Sequence, residues 1–152
     1  YLTLTQDGEE KEVIRSIVGF RTIKIDGEVF LFNDAKIKMK GVNHHDTTPH
    51  GGYVMTPEEL LRDVKLMKEF NVNAVRTSHY PPDPMFLTLC DIYGLYVVDE
   101  ADIETHGCGG GLPGINRISN SKIWTGHYLD RVKFMYMRDR NHPQYYNVVS
   151  GQ

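Results

Sequence analysis

The chain has 152 residues, 40% of them hydrophobic and 24% charged, with a net charge of −3, the size and balance of one globular domain. That charge gives no basic face for nucleic acid and no polybasic membrane patch. No apolar run is long enough to span a bilayer, and none opens the chain as a signal segment.

Residues 1 to about 12 are polar and acidic, with no clear period. From Val13 to Ile25 the chain is β-rich: Val18, Phe20, Thr22 and Lys24 alternate with Gly19, Arg21, Ile23 and Ile25, which predicts extended structure. Asp26-Gly27 signals a turn. Glu28 to Phe32 and Ala35 to Met39 read as two short strands joined by a second turn at Asn33-Asp34.

From Gly41 the pattern changes to alternating strand and helix. Lys36 to Val42 leads into a loop rich in His and Thr. Thr56 then opens a helix as its N-cap, with Pro57 at the first helical position and Glu59 completing a capping box. Leu60, Val64 and Met67 form its apolar stripe. Asn73 to Arg76 reads as a short buried strand. Asp83-Pro84 restarts a helix whose apolar face carries Phe86, Leu89, Cys90 and Tyr93, and Gly94 stops it. Leu95 to Val98 is a nearly continuous apolar strand, as expected when both faces are covered. A Gly-rich loop from Gly107 to Gly114, a third helix from about Gly126 to Arg140 and a strand from Tyr145 to Val149 complete the pattern. Cys90 and Cys108 are too few for a disulfide framework and read as free thiols in a reducing cytoplasm, the expected location.

Three strand–helix units and a last strand make a parallel α/β sheet. They fit an open doubly wound sheet or half of a barrel, and periodicity does not choose between these. In either fold, active groups gather where strands end and loops begin. Asn43, His44, His45 and Asp46 follow the first strand. Arg76, Ser78, His79 and Tyr80 follow the second, and Asp99, Glu100, Asp102, Glu104 and His106 follow the third. Glu104 and His106, two apart, face the same side if extended. Such a pair suits a divalent cation or acid–base chemistry, and magnesium prefers few protein ligands, mostly oxygen. A solvated acidic loop is the competing reading.

Three motifs carry a resemblance. Gly41-Val42-Asn43-His44-His45, Asn73-Ala74-Val75-Arg76-Thr77-Ser78-His79-Tyr80-Pro81 and Val97-Val98-Asp99-Glu100-Ala101-Asp102-Ile103-Glu104-Thr105-His106-Gly107 occur in an order and spacing that resemble the β-galactosidases of glycoside hydrolase family 2. Val18-Gly19-Phe20-Arg21 resembles the end of the immunoglobulin-like domain before the barrel in that family. Arg138-Asp139-Arg140-Asn141-His142-Pro143 resembles the approach to barrel strand four. The Ile-Glu-Thr-His-Gly ending favours galactosidases over glucuronidases, which share the Ser-His-Tyr-Pro motif.

The resemblance implies the N-terminal half of a (β/α)8 TIM barrel, strands one to four, preceded by short β-strands. Residues 1–25 would be the tail of a preceding immunoglobulin-like domain, and residues 26–152 the first half of the catalytic barrel, truncated. It implies a parent enzyme that removes terminal β-D-galactosyl residues, with retention, from a β-galactoside such as lactose. It assigns Glu104 and His106 to a magnesium ion, His45 and His79 to the sugar, and Arg76 to orienting the nucleophile.

Retaining hydrolysis needs two carboxyl groups roughly 5–5.5 Å apart. In the family the acid/base Glu follows an Asn soon after Asn-His-Pro. In direct register Gln152 falls at that Asn, and residues 144–152 depart from the family pattern. No catalytic carboxylate is therefore assigned. A chain opening on Tyr1 and ending there reads as an excised piece, expected to be inactive alone, to hold magnesium weakly and to self-associate through open sheet edges. Glu100 and Glu104 are a poor substitute pair, since catalytic geometry is demanding. The rival readings are a structural or sugar-binding fragment using His45, His79 and Trp124, or a β-glucuronidase or β-mannosidase parent.

Overall fold

The computed structural model describes residues 1–105, 108 and 118–147. The chain opens with a hairpin, β1 (Leu2–Gln6) against β2 (Glu9–Ile14), closed by Asp7-Gly8 at φ 53° and 81°. Two positive φ values are what a type I′ hairpin turn requires. This corrects the reading of residues 1–12 as lacking a pattern. Every residue of both strands is exposed, so no buried face imposes the apolar alternation by which a strand is recognised.

A three-stranded antiparallel sheet follows: β3 (Ile23–Asp26), β4 (Val29–Phe32) and β5 (Ala35–Lys36). Its turns fall at Gly27 (φ 60°) and at Asn33-Asp34 (φ 48° and 62°), residue types that tolerate left-handed backbone. The domain boundary expected between residues 25 and 26 lies inside β3, and the β3–β4 ladder joins its two sides.

Two predicted extended runs are shorter than expected. Residues 15–22 form no strand, and polar groups of Gly19 and Arg21 serve another segment. The Gly19 N–H donates to the Asn141 carbonyl at 2.8 Å, and the Arg21 guanidinium donates to the His142 carbonyl at 2.9 Å. The strand expected to reach Met39 ends at Lys36. Beyond it, the side chain of Asn73 accepts from the Lys40 N–H (2.7 Å) and donates to the Lys38 carbonyl (3.0 Å).

From residue 41 the expected alternation is present. Strands β6 (Gly41–His44), β7 (Ala74–Thr77), β8 (Tyr96–Asp99) and β9 (Tyr145–Asn147) are parallel and lie in chain order. Helices α1 (Pro57–Glu69), α2 (Pro84–Tyr93) and α3 (Thr125–Asp139) follow the first three strands. Thr56 caps α1 with the full capping box to Glu59, Asp83 accepts from the Met85 N–H at the start of α2, and Gly94 ends α2 at φ 69°. The Gly-rich loop from Gly107 to Gly114, apart from Cys108, lies outside the described residues, as does the fourth strand beyond Asn147.

The choice between half-barrel and doubly wound sheet is decided here. A doubly wound sheet reverses its strand order and places helices on both faces. These strands run in order without reversal, and α1 and α2 pack together over the same face. Their shared core holds Leu60 and Val64 of α1, Val75 of β7, Phe86, Leu89 and Cys90 of α2, and Val97 of β8. Each Val, Leu or Phe among them contributes about 1.5–3 kcal/mol on burial. The architecture is the first half of a (β/α) barrel.

Strand alternation then divides the polar residues. Val75 and Val97 face the helices, so Thr77 and Asp99 do too, while Arg76, Val98 and the following Glu100 take the opposite face. Cys90 and Cys108 are free, the first buried and the second exposed. Among the described residues no helix is long and apolar enough to cross a membrane.

Candidate active site

The carboxyl ends of β6, β7 and β8 converge. His45 follows β6, Arg76 and His79 come from β7 and the turn after it, and Glu100 and Glu104 follow β8. The rings of His45 and His79 meet edge-on, centroids 5.5 Å apart at 72°. Nδ1 of His79 lies 3.1 Å from Glu100 Oε1 and 3.6 Å from Glu104 Oε2. The Arg76 guanidinium is 2.8 Å from Glu100 Oε2. Tyr80 tilts against His45, with its hydroxyl 3.5 Å from Nδ1. His45, Arg76, His79 and Glu104, singled out from the sequence, are thus neighbours, whereas His106 lies outside the described residues.

Local structure explains why these side chains converge. The Ser78 N–H donates to the His44 carbonyl at 2.9 Å, extending the β6–β7 pairing past the strand. Thr77 Oγ1 donates to Asp99 Oδ1 and accepts from the Glu100 N–H, both at 3.0 Å, which ties β7 to β8 at its tip. Asp46 Oδ2 accepts from the Asp83 N–H at 2.7 Å and joins the loop after β6 to the start of α2. The adjacent histidines have different tasks. His44 is buried, stacks on Phe86 (4.3 Å, 7°) and sits 3.1 Å from Asp63 of α1. It anchors the strand, whereas the ring of His45, one residue on, meets those of His79 and Tyr80.

Glu100 is the functional candidate that sequence reading undervalued. It is 1% exposed, and a buried carboxylate is tolerated only when paired and hydrogen-bonded. Arg76 and His79 supply that pairing. Its signal was present in register: Arg76 pairs with Val98, so Glu100 two residues later shares the Arg76 face. The Glu100–Glu104 pair is accordingly engaged by Arg76 and His79.

Trp124 lies elsewhere than the His45–His79 pair. It lines a cleft of about 170 Å3 with Asp102, Glu104, Tyr128 and Arg131. Glu104 borders both places. Burial, followed by the nearby Asp46, raises the Tyr80 hydroxyl above its usual pKa. Tyr80 therefore remains a neutral donor near His45.

A second acidic group lies on the helix-facing side. Asp99 and Asp139 are 0% and 1% exposed. Burial, then hydrogen bonding and charge repulsion from Asp139, push the Asp99 carboxyl up to about 7. Arg138 clasps Asp139 through two bonds of 2.6 and 2.7 Å. The buried Tyr145 hydroxyl is raised, chiefly by burial and then by Asp99 and Asp139.

For a cation, the donor atoms of His79, Glu100 and Glu104 lie within 4.8 Å of one another. Glu100 is already neutralised by Arg76. Glu104, with 24% side-chain exposure, is the hard oxygen donor of the type magnesium takes.

Residues 23–146 match the family model for the glycosyl hydrolases family 2 TIM barrel domain. The chain belongs to glycosyl hydrolase family 2. Among family 2 proteins, it is 48% identical over 139 residues to a β-galactosidase of Pectobacterium atrosepticum, covering 91% of this chain and 13% of that protein. It is 44% identical over 140 residues to a β-galactosidase of Vibrio vulnificus, covering 92% of this chain and 13% of that one. The chain therefore spans about 13% of the length of the curated relatives it matches. Its fold resembles a β-glucuronidase from Ruminococcus gnavus solved in complex with D-glucaro 1,5-lactone. That likeness has a TM-score of 0.78 at 26% identity, over 94% of this chain and 24% of that one. The family 2 match opens at the first residue of β3, so the β1–β2 hairpin precedes it.

Proposed function

We propose that the protein to which this chain belongs is a retaining β-galactosidase, and that this chain supplies one wall of its sugar site. The observation that carries the reading is the convergence of His45 and His79, 5.5 Å apart, with Arg76, Glu100 and Glu104 at three adjacent strand ends. Relatives 44–48% identical over this segment are β-galactosidases.

In this reading His45 and His79 hydrogen-bond the hydroxyls of a pyranose. Arg76 and Glu100 neutralise one another, so the wall carries little net charge from that pair and suits an uncharged hexose. Glu104, together with His106, would hold magnesium, whose positive charge would order nearby acidic groups and water. The acid/base and nucleophilic carboxyls required for retention are assigned to other parts of the parent protein. The 152-residue chain on its own is expected to bind but not to hydrolyse a galactoside.

A β-glucuronidase parent draws support from the solved neighbours. A glucuronide brings its own carboxylate and calls for a cation to receive it. In this cluster Arg76 is already paired with Glu100 at 2.8 Å, which favours the galactoside.

The test is a titration of the 15N-labelled chain with methyl β-D-galactopyranoside and with the matching glucuronide, alongside a nitrophenyl galactoside assay with magnesium. Shifts centred on His45, His79 and Tyr80 with the galactoside, without turnover, support the reading. A stronger response to the glucuronide, or shifts confined to the helix-facing side, would overturn it.

A further inference from the structure

We infer that Glu100 is a positioning residue of the sugar site: it draws a ring proton of His79 onto Nδ1, which leaves Nε2 as the nitrogen that faces a sugar hydroxyl. This deepens the galactoside reading and rests on it only for the identity of that hydroxyl.

Three polar groups surround Nδ1 of His79. Glu100 Oε1 is at 3.1 Å, an Arg76 guanidinium nitrogen at 3.5 Å and Glu104 Oε2 at 3.6 Å. A guanidinium only donates and an ionised carboxylate only accepts. The Glu100 distance is that of a hydrogen bond, while 3.5 Å exceeds the usual range for an N–H donor. Nδ1 therefore carries the proton and gives it to Glu100. In a neutral imidazole the other nitrogen is then an acceptor. Among the described residues Nε2 has no hydrogen-bond partner, and 31% of the His79 side chain is exposed.

Glu100 cannot easily turn away from this task. Its side chain is 2% exposed, and its second oxygen forms an ion pair with Arg76 at 2.8 Å. Its backbone N–H is bound to Thr77 Oγ1. The carboxylate is thus fixed by an ion pair with the partly exposed Arg76 on one side and orients a histidine on the other, the arrangement by which a neighbouring carboxylate sets which imidazole nitrogen is available. His45, edge-on to His79, closes one side of the ring.

Substituting Glu100→Gln makes the inference testable. Arg76 offers only donors, so the amide must turn its carbonyl oxygen toward Arg76 and its NH2 toward His79. Nδ1 must then accept, and the ring proton moves to Nε2. Long-range 1H–15N spectra of the labelled chain, recorded where the imidazole is neutral and assigned with His79→Gln, read the tautomer directly. The expected result is protonated Nδ1 in the unsubstituted chain, protonated Nε2 in Glu100→Gln and no change in Glu104→Gln. Affinity for methyl β-D-galactopyranoside should fall about tenfold in Glu100→Gln, the loss of one hydrogen bond. Protonated Nε2 in the unsubstituted chain overturns the inference, as does a tautomer that survives Glu100→Gln or responds to Glu104→Gln instead. If Glu100→Gln does not fold, the spectrum of the unsubstituted chain still decides. Protonated Nδ1 without galactoside binding would refute the galactoside reading and leave the positioning role supported.

Discussion

Asp99 of β8 and Asp139 of α3 are paired acids without contact with solvent, and one guanidinium, that of Arg138, serves them both electrostatically. Two adjacent buried carboxyls are not readily ionised together. The Asp99 carboxyl, at about 7, lies above its ordinary value, so between about pH 4 and 7 the folded chain holds a proton that the unfolded chain has lost. The stabilisation is complete below about pH 4 and is lost as the pH rises through 7. Asp99→Asn, which can still accept from Thr77, should remove this decline and be the more stable form at pH 8. Urea unfolding of both chains from pH 4 to 8 checks it, and parallel pH profiles would refute it.

His142 and Asp91 tie the α3–β9 turn to α2 through a bond of 2.5 Å. The Asp91 carboxylate holds the imidazole pKa above its usual value against the opposing effect of burial. A raised histidine pKa stabilises fully below about pH 6.5 and loses that contribution as the pH climbs through the folded value. Asp91→Asn should cost about 1 kcal/mol at pH 6, a modest figure because the ring is partly exposed. The difference from the unsubstituted chain should shrink toward pH 9. A difference independent of pH would show that the loss is packing alone.

Gly19 is held against Pro143. A Cβ built there would lie 2.1 Å from Pro143 Cβ, and relief would require the segment to move as a whole. Gly19→Ala should break the Gly19–Asn141 hydrogen bond and the Arg21 contact with His142. Hydrogen exchange would then speed up at the Gly19 amide position and around residue 141, with β7 and α1 unaffected. Unchanged protection at residue 19 would contradict this packing.

The two thiols should respond differently to a disulfide reagent. Cys108 is exposed, while burial among Phe86 and Leu89 raises the Cys90 thiol well above its ordinary pKa. A folded sample should label at one site rapidly and at the second only with denaturant. Simultaneous labelling at both sites would mean that the α1–α2 core opens readily.

Much of the fold could be read from the chain because its signals are local. Thr56, Pro57 and Glu59 begin α1 within four residues, Gly94 ends α2, and the apolar stripes of both helices are the faces that meet in the core. The strand-end positions of His45, Arg76, His79 and Glu104 follow from the same grammar. The first hairpin was hidden because it buries nothing, and residues 15–22 gave a false alternation because Gly19 and Arg21 hydrogen-bond residues more than a hundred positions away.

From residue 41 onward, local periodicity and capping determine where most strands and helices lie, and so which polar side chains stand at strand ends. Only the tertiary structure decides that the strands keep chain order, that Glu100 rather than Glu104 lies nearer His79, and that Asp99 shares its burial with Asp139. The reason is physical. Capping and amphipathicity involve neighbours a few residues apart, whereas ion pairing and desolvation depend on register and on what a distant segment places alongside.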